Sequence, residues 1–178
     1  MKRIPLNLSF ALILLGLVAG RLGGATPSET PPAAAAVRAL VERQARAWET
    51  GDEAEFTGTL HAEVGFAYPG KRLTGAGVLK TFRDWKRDFR DTKMHVRRLL
   101  VDGAQFAVEY TFATTNIASG KRTAAGTVAI GEVRDGKIVV WKEYLDGRVS
   151  RQQTAGELPV DEHAEPFPWP DTPASRAP

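Results

Sequence analysis

Near the end of the folded part of the chain runs RDGKIVVWKEYLDG, residues 134 to 147, and the acid inside it is the first candidate for chemistry. A carboxyl group serves as a general acid or base near neutrality when its pKa is lifted, and burial among apolar side chains lifts it by disfavouring the charged form. If the segment is a strand, Trp141, Glu143 and Leu145 share one face, and Val140, Lys142 and Tyr144 take the other. Both faces are largely apolar, so alternation alone leaves two readings open. Glu143 is either a solvated surface charge or a carboxylate pushed into an apolar pocket.

Other chemistries lack their residues. There is no cysteine, hence no thiolate nucleophile and no disulfide framework. No Gly-x-Ser-x-Gly occurs, which speaks against a serine hydrolase. The stretch ASGKRT lacks the upstream glycine and following hydroxyl of a phosphate-binding loop. His61, His95 and His163 stand far apart without ligand-like spacing, and DEHAE in the tail offers at most a weak metal site. No cofactor and no catalytic metal are expected.

Residues 1–25 read as a cleaved export signal. Lys2 and Arg3 precede an apolar run from Phe10 to Ala19, and Gly23 and Ala25 supply the small residues of a cleavage site. The apolar run is short for a membrane span. The expected location is therefore periplasmic or secreted, with no stable membrane anchor. Of the 24 basic residues, Lys2, Arg3 and Arg21 fall in this segment, so 21 are left against 21 acidic ones, and nucleic acid is not an expected partner. The basic stretch from Lys80 to Arg98 is interrupted by Asp84, Asp88 and Asp91, as on an ion-paired helix surface.

The elements that must position Glu143 follow from periodicity. A proline- and alanine-rich leader spans 26–35. Val37, Leu40, Val41, Gln44 and Trp48 predict a helix ended by Gly51, and Asp52 caps a second short helix carrying Phe56 and Leu60. EVGFAYPG predicts a short strand, and Leu79, Phe82, Trp85 and Phe89 a third helix. Strands follow over 93–101, 105–115 and 122–133, with Asp135 and Gly136 turning the chain into the last one. The fold class expected is α+β, three N-terminal helices packed on a curved antiparallel sheet. The domain occupies 36–153, and 154–178 reads as a proline-rich acidic tail without a core of its own.

This order of elements, with GD between the first helices, PG after the short strand, and RDGKI running into WKEYLD, resembles the SnoaL-like branch of the nuclear transport factor 2-like superfamily. From Gly120 to Asp146 the chain is also similar to limonene epoxide hydrolases, in the spacing from SGK to DGKI and in the W-basic-acid-Tyr-apolar-Asp pattern. The resemblance implies a cone-shaped pocket between the concave sheet face and the helices, with Glu143 pointing inward. It does not carry the hydrolase chemistry over. That enzyme's Arg and two Asp fall on Tyr110, Phe112 and Glu143, and its Tyr and Asn on Gly65 and Ala67, so one acid survives. The ketosteroid isomerase base falls on Tyr68, a poor base near neutrality, and its oxyanion donors on about Gln44 and Gly126.

Tyr68, Phe82, Trp85, Tyr110, Phe112 and Trp141 are the candidate pocket residues, with Glu143 and His61 the candidate acid/base groups. Two bland readings stand beside these. A lone inward Glu is often satisfied by a hydroxyl or amide and merely makes a polar spot in a binding cavity. Trp48, Phe56, Phe82, Trp85 and Met94 also suit a helix-on-sheet core. The expected function is binding of a small apolar or amphipathic molecule. The alternatives are a cofactor-free isomerase, cyclase or hydratase using Glu143, and a non-catalytic dimeric scaffold. Ala125, Thr127, Ala129 and Gly131 are read as a small-residue stripe on the outer sheet face, through which a homodimer would pack.

Overall fold

The computed structural model describes residues 33–164. The segment read as an export signal, most of the leader and the end of the tail lie outside the described residues. The described chain forms α1 (Ala34–Thr50), α2 (Glu53–Thr59), β1 (Leu60–Tyr68), β2 (Lys71–Thr74), α3 (Ala76–Asp88), β3 (Phe89–Asp102), β4 (Gln105–Asn116), β5 (Arg122–Arg134), β6 (Lys137–Leu145) and α4 (Arg148–Ala155). The α+β class and the helix-on-curved-sheet arrangement are as expected.

Local chemistry explains the boundaries. Val37, Leu40, Val41, Gln44 and Ala45 are buried along one stripe of α1. Gly51, at φ 68°, ends that helix in the left-handed conformation and donates its N–H to the Ala47 carbonyl at 2.9 Å. One residue on, the Asp52 carboxylate accepts the Glu55 N–H at 2.9 Å and so starts α2. Between β5 and β6, Asp135 and Gly136 both take positive φ, as a two-residue hairpin turn demands. Along α3 ion pairs form as its charge pattern suggested, Lys80 with Asp84 and Arg87 with Asp84 at 2.9 Å, and Asp88 pairs with Arg87 at 2.7 Å. They are exposed and contribute little stability.

The sheet runs β2-β1-β6-β5-β4-β3 and is mixed, where antiparallel pairing throughout was expected. β1 lies parallel to β6, Phe66 opposite Trp141, while β2, which was not anticipated, folds back antiparallel on β1. Short turns dictate antiparallel pairing only between consecutive strands. β1 and β6 are separated by most of the domain, and their direction is set by where the helices return the chain. Breaks in the β3 register, between Arg90 and Lys93 and between Val96 and Arg98, help the sheet curve. The core fills its concave side, with Phe56 and Phe82 stacked at 4.1 Å beneath Trp48.

The fourth helix was also unforeseen. RVSRQQTA buries no residue, so no apolar stripe announces it. Asp146 starts it, accepting the Arg148 N–H at 2.9 Å, and the Arg148 guanidinium holds the Asp146 carboxyl down to about pKa 2. Gln153 then docks it. Its amide donates to the Ala124 carbonyl at 2.9 Å and accepts the Ala124 N–H at 2.8 Å. β6 accompanies β5 only as far as Leu145 opposite Thr127, so this side chain takes the place of the missing strand at Ala124. The chain then runs back over the outer sheet face, where Glu162 pairs with Arg122 and His163 lies 5.1 Å from the ring of His95. The described part of the tail thus packs on the outer face, away from the concave side.

Candidate functional site

The site begins with β5. Its residues Ala125, Thr127, Ala129 and Gly131 are all buried, and they face the concave side, which corrects their assignment to an outer docking surface. A stripe of small residues looks the same in sequence whichever face it occupies. Here smallness makes room. A Cβ on Gly131 would stand 2.1 Å from Cζ of Phe106, so the phenyl ring lies over the bare backbone. Flanking strands carry the large side chains: Phe106, Tyr110 and Phe112 on β4, and Trp141, Glu143 and Leu145 on β6. Register places Tyr110 opposite Thr127, and Glu143 opposite Ala129. Large residues from the two flanks therefore converge above a low floor.

Glu143 points into this space, the arrangement the resemblance implied. Its Oε1 accepts the Tyr110 hydroxyl at 2.7 Å and the Trp141 indole N–H at 2.9 Å. Neither donor engages Oε2. Burial pushes the carboxyl above its ordinary pKa, and the two donated hydrogen bonds oppose that shift. The Tyr110 hydroxyl is pushed well above its ordinary value, first by burial and then by the Glu143 charge it faces. Tyr110 thus keeps its proton and acts as a donor, while Glu143 is the group able to exchange one.

Around this pair lies a cavity of about 280 Å³. Of the anticipated pocket residues, Tyr68, Trp85, Tyr110, Phe112 and Trp141 line it together with Glu143. Phe82 does not: it is 1 % exposed, stacked on Phe56, and belongs to the core behind the wall. Its helical stripe predicted burial correctly and could not say which side of Trp48 it would occupy.

His61 is not brought to the site. Its neighbour Leu60 pairs with Ile138, five residues ahead of Glu143 along β6 and roughly 16 Å away at the rise of a strand. There its Nδ1 accepts the Glu63 N–H at 3.1 Å, and Nε2 lies 3.7 Å from the Asp135 carboxylate. The parallel β1–β6 pairing puts the start of β1 beside the β5–β6 hairpin, at the far end from Glu143, and that pairing was not foreseen.

Sequence reasoning missed Phe66, Thr114, Thr123 and Ser150 as lining residues, and placed Trp48 and Met94 in the core when they also face the cavity. The even positions of β4 were a signal for Thr114. Nothing marked Ser150, on a helix without an apolar pattern. Among the described residues no group of three or more His, Cys, Asp or Glu is placed to hold a metal ion.

A SnoaL-like domain model matches residues 41–141, more than half of the chain. The chain belongs to the SnoaL-like domain family. Solved structures share its nuclear transport factor 2-like fold. An LEH-like epoxide hydrolase of M. tuberculosis is 22% identical with a TM-score of 0.61, over 68% of this chain and 90% of that one. TsrD from Streptomyces laurentii is 23% identical with a TM-score of 0.62, over 71% and 99%. An NTF2-like protein from Burkholderia thailandensis is 17% identical with a TM-score of 0.57, over 65% and 95%. At such identities the likeness is one of fold. No curated protein matches the chain. In this SnoaL-like domain, Tyr110, Phe112 and Glu143 all line the cavity.

Proposed function

We propose that this SnoaL-like domain binds a small, mostly apolar molecule in the cavity above β5, with one polar group of the ligand meeting Glu143. The observation that carries this reading is an aromatic-walled space of about 280 Å³ containing one inward acid whose Oε2 neither Tyr110 nor Trp141 occupies. Organic extraction of the natively purified protein, followed by mass spectrometry, tests it. A copurifying small molecule that is displaced in the Thr127→Trp variant is expected, since the new ring fills the floor. Empty extracts, together with no tryptophan fluorescence response to any apolar ligand, would overturn the reading.

A second reading is favoured by the Tyr110–Glu143 contact. A carboxyl with raised pKa and a neutral phenol 2.7 Å apart resemble the proton-transfer pair of a cofactor-free isomerase, cyclase or hydratase. Glu143 would take or give the proton while Tyr110 holds it in place. Any turnover found should fall at least about a hundredfold in Glu143→Gln, within the usual contribution of general acid/base catalysis. Unchanged turnover would remove Glu143 from the chemistry.

The same reading places the mature protein outside the cytoplasm, on the strength of residues 1–25, and joins two copies through the outer sheet face. Support for the dimer comes from Leu100, Ile130 and Tyr144, which are 62 %, 49 % and 47 % exposed on that face. Sedimentation should show a dimer that Ile130→Glu converts to monomer. Intact-mass measurement of exported protein should show a chain beginning after Ala25.

A further inference from the structure

The cavity does not end at its aromatic wall. Beside it, between α3, the β4–β5 turn and α4, lies a wider hollow of about 690 Å³. Trp85, Thr114, Thr123 and Ser150 line both spaces, so the two adjoin at these four side chains. Their chemistry differs sharply. Glu143 is the one formally charged residue among those lining the inner space, whereas the described residues lining the outer hollow include Lys121 and Arg151 and no carboxylate.

These two cations retain capacity for a ligand. Lys121 donates one proton to the Thr154 carbonyl at 2.6 Å, which leaves two of its three. Arg151 is exposed, and the Asp146 carboxylate, which its charge helps to hold down, is already gripped by the Arg148 guanidinium at 2.7 Å. Ser119 and Asn116 add neutral polar groups at the rim, and Trp85 stacked on Phe89 at 4.0 Å makes the opposite wall flat and apolar.

We propose that these adjoining spaces are built for an elongated amphipathic carboxylate of the fatty-acid kind. Its apolar chain would lie over Thr127 and Ala125, with the head group held at the mouth by Lys121 and Arg151. The inference rests on the cavity reading and names the ligand class for it. Polarity fixes the orientation. A carboxylate pushed to the inner end would lose its water beside another acid and with no cation among the lining residues, while the mouth offers cations open to solvent. Length agrees as well. From Ala129, opposite Glu143, to Thr123 at the shared wall is six residues of β5, roughly 20 Å at the rise of a strand.

The test compares hexadecanoate with its uncharged methyl ester by titration calorimetry and tryptophan fluorescence, on the full chain and on Lys121→Gln/Arg151→Gln. Wild type is expected to bind the acid at least tenfold more tightly than the ester, and the double variant to lose that preference while binding the ester unchanged. Because Lys121 also holds α4, Arg151→Gln alone supplies a second variant, at an exposed residue, and should weaken only the acid. Equal binding of acid and ester by wild type, or a preference that survives the double substitution, overturns the inference and leaves the cavity reading standing. Binding of neither ligand overturns it too, and the cavity reading is then decided by the extraction experiment.

Discussion

Tyr110 and Glu143 meet across a strand that belongs to neither of them. Tyr110 is on β4, Glu143 on β6, and β5 runs between, yet hydroxyl and carboxylate are 2.7 Å apart. The contact exists because β5 presents Thr127 and Ala129 beneath it. Larger residues there would hold the two flanking side chains apart.

Removing the Tyr110 hydroxyl leaves a largely buried carboxylate with one donor fewer. Tyr110→Phe is expected to cost about 1–3 kcal/mol at pH 8, the usual penalty for an unmet buried polar group. Protonating Glu143 relieves the need, so the cost should shrink toward pH 4. Urea denaturation at the two pH values measures it, and a loss that is the same at both would contradict the argument.

Glu143 itself makes stability depend on pH in a stated direction. Burial raises its folded-state pKa above the unfolded value. The neutral form is therefore favoured in the folded state, and the stabilising contribution is fully present below the unfolded carboxyl pKa and is lost as pH rises through the raised one. Thermal melting from pH 4 to 8 should show wild type losing ground relative to Glu143→Gln as pH rises. Parallel curves would show that the carboxyl is not raised.

Gly131 is required by the ring above it. In Gly131→Ala the new Cβ would stand 2.1 Å from Phe106, itself 3 % exposed, so the ring must shift within a packed core. Overpacking of this kind costs about 1–3 kcal/mol. Combining it with Phe106→Leu should give a smaller total loss than the sum of the two single changes, read from a double-mutant cycle in urea. Strict additivity would mean that the two sites do not touch.

Gln153 holds α4 by standing in for a strand. Gln153→Ala leaves the Ala124 N–H and carbonyl without these partners and is expected to cost about 1–2 kcal/mol. Amide exchange at Ala124 should speed up markedly while that at Val108, deep in the β4 core, follows global stability alone. Unchanged protection at Ala124 would refute the docking role.

Much of the fold was legible because it is written in local periodicity. The stripe of α1, the Asp52 cap, the alternation of β4 and the Asp135–Gly136 turn each depend on neighbours a few residues away, and each appears where the pattern placed it. α4 and β2 escaped notice for the converse reason: one buries nothing, and the other is four residues long and mostly exposed.

The site was legible by residue type more than by placement. Five of the six expected pocket residues line the cavity around Glu143: Tyr68, Tyr110, Phe112 and Trp141 from inward strand faces and Trp85 from α3. Which way each candidate turned was settled elsewhere. Phe82 fell behind the wall, His61 went to the far end of the sheet, and the small-residue stripe of β5 turned inward.

The sequence by itself determined the period of each element, its start and stop, and which residues share a face, since those follow from backbone geometry and nearest-neighbour chemistry. Only the tertiary structure decided which face is concave, that β1 lies parallel to β6, and that Tyr110 and Trp141 both reach Glu143. Those outcomes depend on contacts between residues far apart in the chain, and a period of two is blind to which side of the sheet the helices will cover.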